Sequence, residues 1–145
     1  MKELVCTVTG IIGAGMTALF GGWTAGMTTL LIFMAVDYIS GLIVAGVFRK
    51  SEKTKSGGLE SRTGWKGLCR KGMTLAFVLI AYRLDLMIGS NYIKDCVCIG
   101  FVLNELISIV ENAGLMGLPV PAVIARAIDL LQTKADEGGG LNENS

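Results

Sequence analysis

Residues 26–48 read GMTTLLIFMAVDYISGLIVAGVF, and RKSEKTK follows at once. The first stretch carries one charge, Asp37. At ~1.5 Å rise per residue, about 20 apolar residues span the ~30 Å hydrocarbon core of a bilayer. A Lys/Arg cluster directly after such a run marks the side that stays in the cytoplasm. The pairing therefore predicts a membrane span running outside to inside.

Working outward, the same alternation recurs. Hydrophobic residues make up 52% of the chain, a fraction that soluble domains also reach, so their distribution has to decide. The segment 49–71 holds Arg49, Lys50, Lys53, Lys55, Arg62, Lys66, Arg70 and Lys71 against only Glu52 and Glu60. It reads as a solvated, lipid-facing cytoplasmic loop. Around it lie apolar segments at about 4–22, 26–48, 73–90 and 96–113. The expected fold is an all-α membrane domain over 1–133, with four transmembrane helices and a C-terminal amphipathic helix at 121–133. The competing reading is a soluble protein with deeply buried helices, but soluble helices rarely stay apolar all round for this length. A signal peptide is also a poor fit: the first apolar stretch is too long and lacks a small-x-small cleavage site. Pro121 suits the first turn of the last helix. Val123, Ile124, Ala127, Leu130 and Leu131 form its expected apolar stripe, with Arg126, Asp129 and Thr133 opposite. The tail 134–145 has too little apolar surface to order itself. With the basic loop inside, both termini are cytoplasmic.

Charges inside the spans are the candidate functional groups. Asp37 lies eleven residues before Phe48, Arg83 eleven after Gly72, and Glu105 nine before Gly114. All three thus fall near the bilayer centre, where an isolated charge costs about 2.5–3.5 kcal/mol on insertion scales. Two acids and one base at one level offset each other. They act either as a structural ion pair or as part of a polar face lining a wet path. The fourth segment extends that face: Gly100, Asn104, Ser108 and Glu111 recur at helical spacing, with Glu105 and Asn112 beside them. Such a face must turn to protein or water. The expected polar network is therefore Asp37, Arg83, Asn104, Glu105, Ser108 and Glu111. Small residues form ridges for close helix packing, at Ala14, Ala18 and Gly22 in the first segment and at Gly41 and Ala45 in the second.

Chemistry that would make an enzyme is absent from the pattern. The chain has no histidine, the commonest general base. Its four cysteines form no C-x-x-C and read as small hydrophobes. With no nucleophile–base spacing and no phosphate loop, the expectation is a non-enzyme without cofactor or metal. Only Trp65 interleaves the basic loop, so nucleic-acid binding is a poor fit.

Two motifs resemble those of a known family. D-Y-I-S-G at 37–41, followed by a basic loop, is similar to the D-x-x-S/T-G element of phage holins. N-E-L-I-S-I-V-E-N at 104–112, followed by G-L-P-V-P at 117–121, resembles the N-E-x-x-S-I-x-E-N…G-x-x-x-P signature of the toxin-secretion and phage-lysis holins, which include the holin-like protein of clostridial toxin loci. The likeness covers about residues 26–131, and its motif residues fall on Asp37, Ser40, Gly41, Asn104, Glu105, Ser108, Glu111 and Asn112. It implies a small bacterial inner-membrane protein that oligomerises with itself into lesions, through which an endolysin or toxin passes as cargo without stable binding. A small proton-coupled transporter or channel subunit using a membrane-buried carboxylate is the alternative, and a membrane anchor for a partner protein a third.

Overall fold

The computed structural model describes residues 1–139. Five helices follow one another: α1 (Lys2–Phe20), α2 (Ala25–Ile43, extended by a π-helical turn Val44–Phe48), α3 (Ser61–Ile88), α4 (Ile93–Leu115) and α5 (Ala122–Gly139). No strand occurs among the described residues.

Each helix end has a local cause. α1 stops at Gly21, whose φ of 74° is a left-handed conformation that glycine adopts without Cβ strain. A Cβ there would also strike the Tyr82 ring. Thr24 then caps α2, its hydroxyl accepting from the Met27 amide at 3.2 Å. α3 ends at Gly89, again left-handed, whose amide donates to the Asp85 carbonyl. The Asp85 carboxylate reaches forward and accepts from the Ile93 and Lys94 amides at 3.0 and 2.9 Å and from the Ser90 hydroxyl at 2.6 Å. One side chain thus holds the α3–α4 turn and satisfies two of the four orphan donors of α4.

α4 is the central element, packed against α2, α3 and α5. Its buried residues Lys94, Cys98, Val102, Glu105, Leu106 and Asn112 recur every three, four or seven positions, a helical stripe. α2 presents Met27, Leu30, Met34 and Asp37 to it at the same period. Toward the 21–24 and 89–92 turns the interior is apolar: Phe20, Met27, Leu30, Met34, Val78, Cys98 and Val102 form one cluster. Toward the 49–60 connection it becomes polar.

α1 stands apart. It touches mainly α3, and Leu4, Ile11 and Ile12 are 60–67% exposed. Lys94 ties its end to the bundle, its ammonium donating to the Phe20 carbonyl and, at 3.4 Å, to that of Gly22. A cation in this position also suits the negative end of the helix dipole.

Several expectations require correction. Two helices, Lys2–Phe20 and Ala25–Phe48, are long and apolar enough to cross a membrane on length and composition, fewer than the four expected. α3 and α4 have the length, but their charges dilute the apolar run. The basic loop is shorter than 49–71: α3 begins at Ser61, so Lys66, Arg70 and Lys71 are helical. A Cβ on Gly64 would sit 3.5 Å from the Tyr38 hydroxyl and one on Gly67 3.9 Å from its ring, so α2 and α3 approach closely there. α5 runs past 133 to Gly139, so the first half of the expected disordered tail is helical, and the rest lies outside the described residues. Val123 and Leu130 are exposed, because the face of α5 toward α4 is Ile124, Ala127, Ile128, Leu131, Ala135 and Gly138.

Candidate functional site: a buried acid–lysine–acid cluster

Three helices deliver one charged side chain each to a single point. The Lys71 ammonium on α3 sits 2.7 Å from Asp37 Oδ2 on α2 and 2.6 Å from Glu105 Oε2 on α4. The three side chains are 13%, 9% and 7% exposed. Asp37 lies eleven residues from the end of its helix at Phe48, Lys71 ten from Ser61, and Glu105 ten from Leu115. At ~1.5 Å per residue the cluster therefore stands about 15 Å from that end of the bundle, half the thickness of a hydrocarbon core. A lysine between two carboxylates converts three costly buried charges into two short charge-assisted hydrogen bonds.

A second set of bonds locks the α2 partner. The Asn112 amide on α4 donates to Asp37 Oδ1 at 3.2 Å, to the Asp37 carbonyl at 3.3 Å and to the Ser40 hydroxyl at 2.8 Å. Ser40 Oγ in turn donates to the Asp37 carbonyl. Gly41 lies alongside, its Cα side turned to Asn112, where a Cβ would make an ordinary contact with Nδ2 at 3.8 Å. Five side chains, Asp37, Ser40, Lys71, Glu105 and Asn112, thus bind α2 to α3 and α4 through polar bonds where lipid offers no competing partner.

Above the cluster a cavity of about 340 Å³ opens between α2, α3, α4 and the 49–60 connection. Asp37, Lys71 and Glu105 lie at its floor, Ser108 and Asn112 on one wall, and Glu52, Lys53, Glu60, Arg70 and Glu111 toward its mouth. The connection is folded over this mouth. Ser51 N donates to the Gly57 carbonyl at 3.0 Å, and the Thr54 hydroxyl donates to that of Gly58 at 2.9 Å.

The expected network falls into two groups. Asp37, Asn104, Glu105, Ser108 and Glu111 all border the cavity, with Asn104 and Glu111 also exposed. Arg83 does not join them. Buried Val78, Ala81 and Asp85 mark the inward face of α3, and Arg83 projects from the opposite side. Lys71 occupies the role expected of it, because Lys71 stands seven residues before Val78 and so shares that face. The alignment holds because α3 begins at Ser61 and carries Lys71 and Val78 on one continuous helix. Lys94, Asp85 and Asn112 were likewise not in the expected network. Of the packing residues, Ala45 is buried and Gly41 half-buried on α2, Gly22 is half-buried in the turn, while Ala14 and Ala18 lie on the exposed surface of α1. Among the described residues no group of three His, Cys, Asp or Glu could hold a metal ion.

The two motif segments, 37–41 and 104–112, are thus brought into contact by this cluster, and comparison with known proteins places the chain accordingly. The sequence profile of the bacteriophage holin family matches residues 14–133. The chain belongs to the bacteriophage holin family. An uncharacterized protein of Halalkalibacterium halodurans is 35% identical over 94% of this chain and 98% of its own length. One from Listeria monocytogenes is 37% identical over 88% of each. A protein of Bacillus phage phi105 named as a probable holin is 28% identical over 74% of this chain and 75% of its own. No solved structure matches. Holin membership together with two apolar, largely exposed helices fits a membrane protein.

Proposed function

We propose that this holin-family protein spans the bacterial cytoplasmic membrane with α1 to α4, has its N-terminus and the 49–60 connection inside, and associates with itself into lesions that release an endolysin or a toxin. The expected cytoplasmic C-terminus does not fit, because α5 returns along α4 and brings Gly138 beside Cys96 at the outer end. The observation that carries this reading is the acid–lysine–acid cluster at mid-depth beneath a polar vestibule. In a compact bundle Asp37, Lys71 and Glu105 satisfy one another. Once copies crowd together, water can replace these partners, and the same charges then stabilise an open, hydrated arrangement. The cluster is a latch whose release exchanges internal salt bridges for solvation. The membrane potential can bias it, since moving one charge through the field is worth ~2.3 kcal/mol per 100 mV. Holin-family membership supports the reading, as does the probable-holin name of the phage phi105 relative.

Expression in a bacterium tests it: membrane potential should collapse abruptly and a co-expressed cytoplasmic murein hydrolase should escape. Continued growth with the hydrolase retained overturns it.

The vestibule also favours a second reading. A water-accessible cavity ending on two buried carboxylates is the layout of a proton-coupled transporter or channel subunit. Liposomes separate the two: gradient-driven flux of a small cation without leakage of a large dye supports transport, and dye leakage supports a holin.

A further inference from the structure

α5 is the most sharply two-faced of the five helices. It folds back along α4 through the 116–121 connection. At its far end a Cβ on Gly138 would lie 2.8 Å from Cys96 Sγ, in the first turn of α4. Midway, Leu131 packs against the apolar cluster that contains Cys98 and Val102. α5 therefore runs antiparallel to α4 over most of its length, about 27 Å for 18 residues. It does not lie across the end of the bundle.

The outward side has the opposite chemistry. Arg126, Asp129, Thr133, Asp136 and Glu137 are exposed and point away from α4, with exposed Gln132 and Lys134 on their flanks and exposed Val123 and Leu130 along one edge. If α4 crosses the bilayer, this face stands at hydrocarbon depth. Lipid has no hydrogen-bonding partner for it, and a charged face at that depth turns to protein or to a water-filled space. Among the described residues the only ion pairs are those of Lys71, so these charges have no salt-bridge partner among the described residues.

Resting on the holin reading above, we infer that the outward face of α5 lines the aqueous lumen that copies of this chain enclose. α4 supports the lining helix from behind, and α1, apolar and exposed, faces lipid. Asp129, Asp136 and Glu137 outnumber Arg126 and Lys134 among the exposed charges of α5, so the lumen favours cations.

Planar-bilayer recording of purified full-length protein tests the assignment. In a background with Cys6, Cys69, Cys96 and Cys98 changed to alanine, Asp129→Cys and Thr133→Cys lesions should lose current when a charged methanethiosulfonate reagent is added. Ile128→Cys, facing α4, should not. Separately, with native cysteines retained, the D129K/D136K/E137K chain should bring the cation-to-anion permeability ratio from above one to below one. Lesions that conduct but ignore both changes overturn the lining role of α5 and leave the holin reading standing. Failure of the parent chain to conduct overturns both.

Discussion

At the scale of single residues, Lys71 is the member of the cluster that cannot be spared. Removing it leaves Asp37 and Glu105 buried together with nothing between them. Breaking a buried pair in this way costs about 3–5 kcal/mol, because an uncompensated charge remains. Lys71→Met should lower the denaturant midpoint of the detergent-solubilised protein accordingly and advance the onset of depolarisation in cells. Adding Asp37→Asn and Glu105→Gln to it should restore most of the loss, since a neutral cluster of the same shape carries no stranded charge. Arg83→Gln should leave both measurements unchanged, as Arg83 is exposed and forms no salt bridge among the described residues. Asn112→Ala removes a donor from Asp37 and Ser40 and should cost about 1–3 kcal/mol, the range for leaving a buried acceptor unsatisfied. An Asn112→Ala protein as stable as the parent would show that water takes its place. Asp37 and Glu105 were legible as buried acids because an ionisable group within an apolar run is conspicuous. Their partner was not, because Lys71 sits among other basic residues and looks like one more orientation signal.

Among the elements, the turns matter most. One node at the turn end joins α1, α3 and α4: Asp85 caps α4, Lys94 caps α1, and the Lys94 ammonium lies 5.5 Å from the centre of the Tyr82 ring. Asp85→Ala should cost about 0.5–2 kcal/mol, as loss of an N-cap does, and should speed protease cleavage within 89–92. Unchanged cleavage would remove the node from the account of stability. The node was not anticipated. In sequence, Arg83 and Asp85 look like an interruption of a span, yet Asp85 lies within reach of the first amides of the next helix and is a cap. The start of α3 is not legible in the sequence, since Gly64, Gly67 and Gly72 disfavour a helix by about 1 kcal/mol each. The helix forms nonetheless, with Gly64 and Gly67 turned toward Tyr38 of α2.

For the whole molecule, the turns 21–24 and 89–92 share one end of the bundle, and the 49–60 connection and 116–121 share the other. If the basic connection is cytoplasmic, the vestibule opens inward. In a chain otherwise free of cysteine, Lys55→Cys should react with an impermeant maleimide only from the cytoplasmic side of intact membranes, and Trp23→Cys only from outside. The reverse pattern would invert the topology and place the mouth of the vestibule outside. α1, the least covered helix, should be the most readily displaced part of the molecule, because few protein contacts compete with lipid for its surface.

The sequence by itself determined that apolar helices alternate with a basic connection, that two acids lie deep within them, and that the 37–41 and 104–112 segments carry a holin likeness. Those features follow from composition along one dimension and the fixed rise of a helix. Which basic residue meets the acids, where α3 begins, and how α5 lies along α4 depended on the tertiary structure. Partner choice is set by which faces meet when helices pack, and a residue's own neighbours along the chain do not contain that information.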